Sequence, residues 1–274
     1  MTADSRSLVT KLGEFLVFAG TAAAYVAFSK STTSSRTCSS TSSLTKSLQD
    51  GTSLNAKERV CTVDENNNPL PNGHFRNEMR LAKLWHRATY VIVLHEPPHD
   101  AAKGEQEQYV LVQRRSRMKD YFPGKLDPCP GGVVGFGESY LHNATRELEE
   151  EMGIDVSSSD SPHSLTRLFT FPFQDEDVKV WGDFYEAKFR GDVSDLVLQE
   201  DEVVSVMRVP LSALQTMIVD KPEEFMPDGR HALKLYFQRK QDDRLNRKLL
   251  HGYSSGNLDE YKLRPLPQVI FFDW

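Results

Sequence analysis

Three glutamates near the middle of the chain have the residue type and spacing of a metal-binding site. From Gly132 to Ile154 the sequence is GVVGFGESYLHNATRELEEEMGI. If residues 139–152 form a helix, Glu147, Glu150 and Glu151 fall within one wedge roughly 100° wide. The apolar residues of the same segment then form an adjacent stripe that would pack on a sheet: Leu141, Ala144, Leu148 and Met152.

Carboxylates as close as these repel one another. Like charges four residues apart destabilise a helix, and crowding raises the pKa of each carboxyl group. Arg146, one turn before Glu150, can neutralise part of the charge. Divalent cations that prefer oxygen ligands would neutralise the rest, so Mg²⁺ is the expected cofactor and Mn²⁺ the alternative. Acidic helices without a metal are common, so the three glutamates alone would indicate only a solvated face.

The full spacing of the segment decides between these two interpretations. Its fixed positions are Gly132, Glu138, Arg146, Glu147, Glu150, Glu151 and Gly153, with aliphatic residues at the two remaining positions. This pattern matches the Nudix box at every position, so the chain resembles the Nudix hydrolase family.

The resemblance implies both a fold and a reaction. The fold is an α+β Nudix fold, an α/β/α sandwich around a mixed sheet. The reaction is the hydrolysis of a diphosphate linkage in a nucleoside diphosphate derivative or a related small organic diphosphate, by attack of water on phosphorus. The implied catalytic residues are Arg146, Glu147, Glu150 and Glu151; the three glutamates and the Gly132 carbonyl are the implied metal ligands.

Segments on both sides of the box resemble the branch of this family related to isopentenyl-diphosphate isomerase. They are LWHRAT (84–89), QRRSRMKDYFPGKLD (113–127), VWG (180–182) and EDEV (200–203). The resemblance covers roughly residues 59–240. It implies that Glu202 is a further metal ligand and that His86 binds metal or substrate. By their position just before the box, Arg114, Arg115 and Lys119 are the candidates for binding the phosphates of the substrate.

Simpler interpretations of these residues stay open. Lys119 can belong to a solvated basic turn, and His86 can be a core histidine that bonds a backbone carbonyl. Glu202 can belong to an exposed acidic turn. Strand alternation places Glu202 and Asp201 on opposite faces, so only one of the two would face the metal site.

Two other functions compete with hydrolysis. The isomerases use a cysteine shortly after the Pro-Gly motif, but that position falls on Gly131, and Cys129 lies two residues earlier. A non-catalytic nucleotide-binding module would usually have lost a glutamate of the box, and all are present here. These observations favour a metal-dependent hydrolase that acts on acid anhydrides.

The strands and helices that must position these residues follow one another in an irregular order. The patterns predict strands at 59–63, 89–95, 109–113, 165–173, 180–189 and 203–209, and helices at 139–152, 210–219 and 228–240. Residues 99–108 are expected to form a loop. Because there is no regular βαβ repeat, the sequence favours an α+β fold.

The ends of the chain differ from its middle, and this predicts three regions. Residues 1–57 combine an apolar segment at 12–28 with a stretch rich in serine and threonine, residues 58–240 form the enzyme domain, and residues 241–274 are an extension. The apolar segment favours organelle targeting or membrane association; an inert tail on a cytoplasmic protein is the alternative. The net charge of −6 argues against a nucleic-acid polymer as partner. The sequence does not indicate an oligomeric state.

Overall fold

The computed structural model describes residues 55–96 and 107–253 of the chain. The apolar segment at 12–28, most of the expected loop at 99–108, and residues 254–274 lie outside the described residues. Within the described part, no helix is both long and apolar enough to cross a bilayer.

Eight strands and four helices make up the described fold. Two short strands, β1 (Arg59–Val60) and β2 (His74–Phe75), pair with each other. The main sheet contains β3 (Trp85–His95), β4 (Tyr109–Arg115), β5 (Leu126–Asp127), β6 (Ser164–Gln174), β7 (Lys179–Phe189) and β8 (Val203–Pro210). The helices are α1 (Arg76–Leu81), α2 (Tyr140–Met152), α3 (Leu211–Asp220) and α4 (Pro227–Tyr253).

The main sheet is mixed, as the sequence predicts. Strand β3 pairs in parallel with β7 along its whole length and antiparallel with β4. Strand β4 also pairs antiparallel with β8 and with the short β5, and β6 covers the far side of β7. Five strands therefore lie in the order β5-β4-β3-β7-β6, with β8 paired to β4.

Helices cover both faces of this sheet, so the fold is the expected α/β/α sandwich. Alternate residues of β3 enter two different cores: Tyr90 and Ile92 face one, Val91 and Val93 the other. The first core includes residues of α3 and α4, and the second includes residues of α2. The sheet thereby fixes α2, which carries the glutamates, against β3.

Helix α2 has well-defined ends. The Ser139 side chain accepts a hydrogen bond from the His142 backbone N–H at 3.2 Å, which caps the helix N-terminus. Gly153, with φ of 69°, ends the helix in a left-handed conformation that glycine adopts without strain. The predicted helix at 139–152 is confirmed. Leu141 of the predicted apolar stripe is instead 57% exposed, because it lies in the first turn, where Tyr140 packs on the core.

Two features of the structure cross the predicted domain boundaries. Helix α4 continues past Lys240, since no glycine or proline lies between Gly229 and Gly252. At the other end, Ala56 is buried and its carbonyl accepts a hydrogen bond from Asn77. The Asn55 side chain donates to Glu202 at 3.3 Å. The folded unit therefore includes residues just before position 58.

These N-terminal contacts give a first prediction. We expect a chain that starts at Gly51 to fold with the melting temperature of the full chain. A chain that starts at Lys57 loses the burial of Ala56 and the bond to Glu202, together worth about 1–2 kcal/mol. It should melt about 2–8 °C lower. Calorimetry on both truncated chains measures this difference, and equal melting temperatures would contradict the assigned start of the fold.

Candidate active site

A cavity of about 510 Å³ opens beside helix α2. Its walls come from α1, β3, the turn after β4, the glycine loop before α2 and the segment before β8. Carboxylates and cationic groups share these walls, and Glu147, Glu202, Arg76, Arg80, Arg115 and Lys119 are among the lining residues. A concave polar site of this volume suits a small molecule rather than a polymer.

Three buried carboxylates converge at this cavity: Glu147, Glu151 and Glu202. One oxygen of each lies within 4.8 Å of the others. Glu147 and Glu202 are each 8% exposed, and Glu151 is 1% exposed behind the cavity wall. Two come from adjacent turns of α2 and the third from the chain just before β8. Hard divalent cations prefer this all-oxygen set of ligands.

Strand pairing brings Glu202 to the helix. Strand β8 lies antiparallel to β4, and the Ser116 N–H donates to the Glu202 carbonyl at 2.8 Å. The Glu202 side chain is buried whereas Asp201 is exposed, so the two point apart as expected. Strand alternation is not the reason, because residues 200–202 form a turn before β8, and Glu200, which alternation would place with Glu202, is exposed.

Lys119 lies among the carboxylates. Its Nζ donates to Glu202 Oε2 at 2.5 Å and lies 3.6 Å from Glu151 Oε1. The Lys119 side chain is buried, so the interpretation as a solvated turn is wrong. Lys119, together with Arg146, which pairs with Glu147 at 2.9 Å, offsets part of the charge of three carboxylates in a site shielded from water.

Burial sets the protonation of the three carboxyl groups. Burial, helped by the charge of Glu147, raises the pKa of Glu151 to about 8, although Lys119 opposes the shift. Burial also raises the pKa of Glu147, against the opposing effect of Arg146. At Glu202 burial would raise the pKa as well, but the charge and hydrogen bond of Lys119 outweigh it and the pKa is lowered. A divalent cation would favour the ionised form of all three.

Arg146 forms ion pairs along the outer side of helix α2. Its guanidinium bonds Glu138 at 3.0 Å, Glu147 at 2.9 Å and Glu150 at 2.6 Å. Glu138 also accepts from the Gly135 N–H and the Asn143 side chain, so it joins the glycine loop to the helix, as expected. The Glu150 side chain is half exposed at the cavity rim and is not one of the three converging carboxylates. Its place at the edge of the helical wedge turns it toward solvent.

Gly132 lies directly against Glu147. A Cβ atom at this position would come within 2.2 Å of Glu147 Oε1, so any larger residue would displace the carboxylate. The Gly132 carbonyl, a predicted metal ligand, accepts a hydrogen bond from the Thr89 N–H at 2.9 Å. A carbonyl oxygen has a second lone pair, which this bond leaves available.

His86 lines the cavity and is neutral. Its Nδ1 bonds the Leu84 carbonyl at 3.0 Å, and only a protonated ring nitrogen can donate to that acceptor. Burial, together with the charge of Arg80, lowers the pKa of His86 to about 3. His86 is therefore satisfied by the backbone, as the core interpretation expects, while Nε2 keeps a lone pair; its role as a ligand stays a prediction.

The two predicted basic residues of β4, Arg114 and Arg115, point in different directions. Arg114 bonds the Gly124 carbonyl at 2.9 Å and does not line the cavity, so the structure does not bring it to the site. Arg115 does line the cavity, where it pairs with Asp127 at 3.3 Å and bonds the Tyr121 carbonyl. Adjacent residues of a strand point to opposite faces, so only one of the two can reach the site.

Two arginines that the sequence analysis missed also line the cavity. Arg76 and Arg80 lie one turn apart on α1, and both pair with the buried Asp120, at 3.1 and 3.6 Å. Arg76 also pairs with Glu58. The spacing of four residues, which places both side chains on one helix face, was the available signal.

Comparisons with known proteins place the chain in a family. Residues 86–234 match the family model described as the NUDIX domain. An uncharacterized Nudix hydrolase of Yersinia pestis is 37% identical over 185 residues, which is 68% of this chain and 88% of that protein. The chain belongs to the Nudix family, and its enzyme class is that of hydrolases acting on acid anhydrides.

Similar proteins occur in other bacteria. The uncharacterized Nudix hydrolase YfcD of Escherichia coli K12 is 37% identical over 186 residues, covering 68% of this chain and 90% of that protein. Among solved structures, DR0079 from Deinococcus radiodurans is similar with a TM-score of 0.47 and 22% identity, covering 60% of this chain and 90% of that chain. The family match begins at His86, so α1 and its arginines lie before it.

The raised pKa of Glu151 predicts how stability depends on pH without metal. Ionisation of Glu151 is harder in the folded than in the unfolded chain, so the stabilisation is full below its ordinary pKa of 4.5 and is lost as pH rises toward about 8. We expect the melting temperature in chelator to fall across this range. The fall should be shallower in Glu151→Gln, which cannot ionise; parallel curves for the two proteins would contradict the assignment.

Proposed function

We propose that this protein uses Mg²⁺, or Mn²⁺, to hydrolyse a diphosphate linkage in a small organic diphosphate, most often a nucleoside diphosphate derivative. The observation that carries the proposal is the convergence of Glu147, Glu151 and Glu202 beside a cavity with cationic walls. The carboxylates supply the metal ligands, and the cationic groups supply contacts to a substrate with several negative charges.

The residues fit a divalent cation. Glu151 Oε1 is buried with no hydrogen-bond partner among the described residues, although the Lys119 ammonium lies nearby. A buried oxygen without a partner is unfavourable, and coordination would satisfy it. Glu147, Glu151 and Glu202 would hold the ion, with the Gly132 carbonyl and Glu150 as additional candidates.

The mechanism follows from what these side chains do. Glu147, Glu151 and Glu202 would hold a Mg²⁺ ion, which would supply charge neutralisation on the diphosphate and a lowered pKa for water. Attack of a water molecule on phosphorus forms one P–O bond, breaks the bridging P–O bond and releases a proton. One of the converging carboxylates accepts this proton, and Arg146 keeps Glu147 in place.

The cationic residues around the cavity would bind the substrate. Lys119 and Arg115 are the predicted phosphate contacts that reach the cavity, and Arg76 and Arg80 add two guanidiniums from α1. Because each of these residues already pairs with a carboxylate, the protein holds its cations in position before the substrate arrives. Positioned charges lose little conformational entropy when they bind an anion.

The isomerase alternative receives less support. Cys129 lines the cavity but is buried, and burial raises the pKa of its thiol well above the ordinary value. A group that stays protonated is a poor base for removing a proton from carbon. We therefore propose hydrolysis as the reaction, with release of a phosphate-containing product.

Glu202→Gln tests the metal site directly. We expect it to lower turnover at saturating Mg²⁺ by at least about tenfold, a loss of about 1.4 kcal/mol of transition-state stabilisation. Glu151→Gln should lower turnover by at least about 100-fold, because it removes a buried charge from the same site. Asp201→Asn is the matched control, since Asp201 is exposed, and it should be nearly neutral.

Turnover is measured by incubating the enzyme and Mg²⁺ with a panel of substrates and identifying the products by mass. The panel contains sugar nucleotides, dinucleotides, nucleoside triphosphates and isopentenyl diphosphate. Mg²⁺ should also raise the melting temperature of the wild type more than that of Glu202→Gln. The assignment of Glu202 would be refuted by equal melting-temperature shifts in both proteins, or by a greater loss of turnover in Asp201→Asn. Hydrolysis would be refuted by isomerisation of isopentenyl diphosphate without release of phosphate.

We also propose that residues 1–57 direct the protein to an organelle or membrane, through the apolar segment at 12–28. The full chain, fused to a fluorescent protein at its C-terminus, should localise to a membrane-bound compartment, whereas a chain starting at Gly51 should stay in the cytosol. The same diffuse distribution for both would refute targeting and leave the enzymatic proposal intact.

A further inference from the structure

The inner end of the cavity contains polar groups that the hydrolytic reaction does not use. They belong to Tyr90 on β3, Tyr121 in the turn after β4, Asp127 on β5 and Asp228 at the start of α4. All four are buried, and none belongs to the converging carboxylates. This set is distinct from the metal site, although it lines the same cavity.

Several polar atoms of this set have no hydrogen-bond partner among the described residues. They are the Tyr121 hydroxyl, Asp228 Oδ1 and the Nε atom of Arg115. Arg80 Nε also has no hydrogen bond, although it forms an ion pair with Asp120 at 3.6 Å. Buried polar groups in folded proteins nearly always have partners, so a cluster of exceptions in one cavity requires an explanation. A bound polar ligand would provide it.

The two inner groups have complementary roles. Burial, helped by the charge of Asp228, raises the pKa of Tyr121, so its hydroxyl remains protonated and can donate. Asp228 Oδ2 accepts from the Tyr90 hydroxyl at 2.7 Å, and Oδ1 remains as an acceptor. The Arg80 guanidinium lies 4.5 Å from the centre of the Tyr121 ring, which holds the ring in place.

We propose that Tyr121 and Asp228 form a specificity subsite for a polar group of the substrate that both accepts and donates hydrogen bonds, namely a nucleobase edge or sugar hydroxyls. The inference rests on the proposed function and names its substrate class. An isoprenyl chain in the same place would leave both groups unpaired, so the subsite discriminates against hydrocarbon tails.

Tyr121→Phe is the sharpest test, because the hydroxyl it removes has no hydrogen-bond partner among the described residues. The variant should therefore fold with an unchanged or higher melting temperature. Tyr236→Phe is the matched control: the Tyr236 hydroxyl bonds Glu186 at 2.9 Å, away from the cavity. It should lower the melting temperature without changing any binding constant. Asp228→Asn, which can still accept from Tyr90, is a second variant of the subsite.

Four non-hydrolysable probes separate the subsite from the metal site. They share a methylene-bridged head group: methylenediphosphonate itself, its isopentenyl ester, α,β-methylene-ADP and α,β-methylene-UDP. Dissociation constants are measured by titration calorimetry with millimolar Mg²⁺. The wild type should bind at least one nucleotide probe about tenfold or more tightly than the isopentenyl probe.

The same titrations of Tyr121→Phe and Asp228→Asn test the subsite. Tyr121→Phe should weaken a nucleotide probe by at least about fivefold and leave the head-group and isopentenyl probes unchanged. Equal weakening of both nucleotide probes supports recognition of sugar hydroxyls, and weakening of one supports recognition of its base. If the head group binds but neither Tyr121→Phe nor Asp228→Asn affects a nucleotide probe, the subsite is refuted and the proposed function stands. If no probe binds, both are refuted.

Discussion

The repulsion among three buried carboxylates is the constraint on which the site depends. Glu147, Glu151 and Glu202 each place one carboxylate oxygen within 4.8 Å of the others, and all three residues are buried. Such an arrangement is unfavourable unless positive charge compensates it. Lys119 pairs with Glu202 and Arg146 with Glu147, so two cations face three carboxyl groups. The divalent ion proposed above would compensate the remaining charge.

The surrounding elements keep this unfavourable arrangement in place. Caps at both ends fix the helix that carries Glu147 and Glu151, and buried apolar residues hold it against the central strand. Glu202 immediately precedes β8, and its position follows from the Ser116 N–H bond to its carbonyl and from the pairing of β8 with β4. The three carboxylates are thus held by elements whose own packing keeps them in place.

The sequence predicts the parts of this protein that depend on local patterns. The glutamate helix follows from residue spacing within one segment. The predicted strand at 203–209 likewise follows from its run of mostly apolar residues. Contacts between distant segments could not be predicted in the same way. Lys119 and Glu202 are 83 residues apart in the chain, and their contact depends on how β8 pairs with β4. The burial of Arg115 but not Arg114 likewise depends on which face of β4 meets the cavity.

The cavity takes its charged groups from two separate parts of the sequence. Helix α1 lies before the residues that the family model matches, yet its Arg76 and Arg80 line the cavity. The converging carboxylates come from α2 and the chain before β8, well downstream. A substitution on α1 can therefore change the charge of one wall while Glu147, Glu151 and Glu202 stay in place.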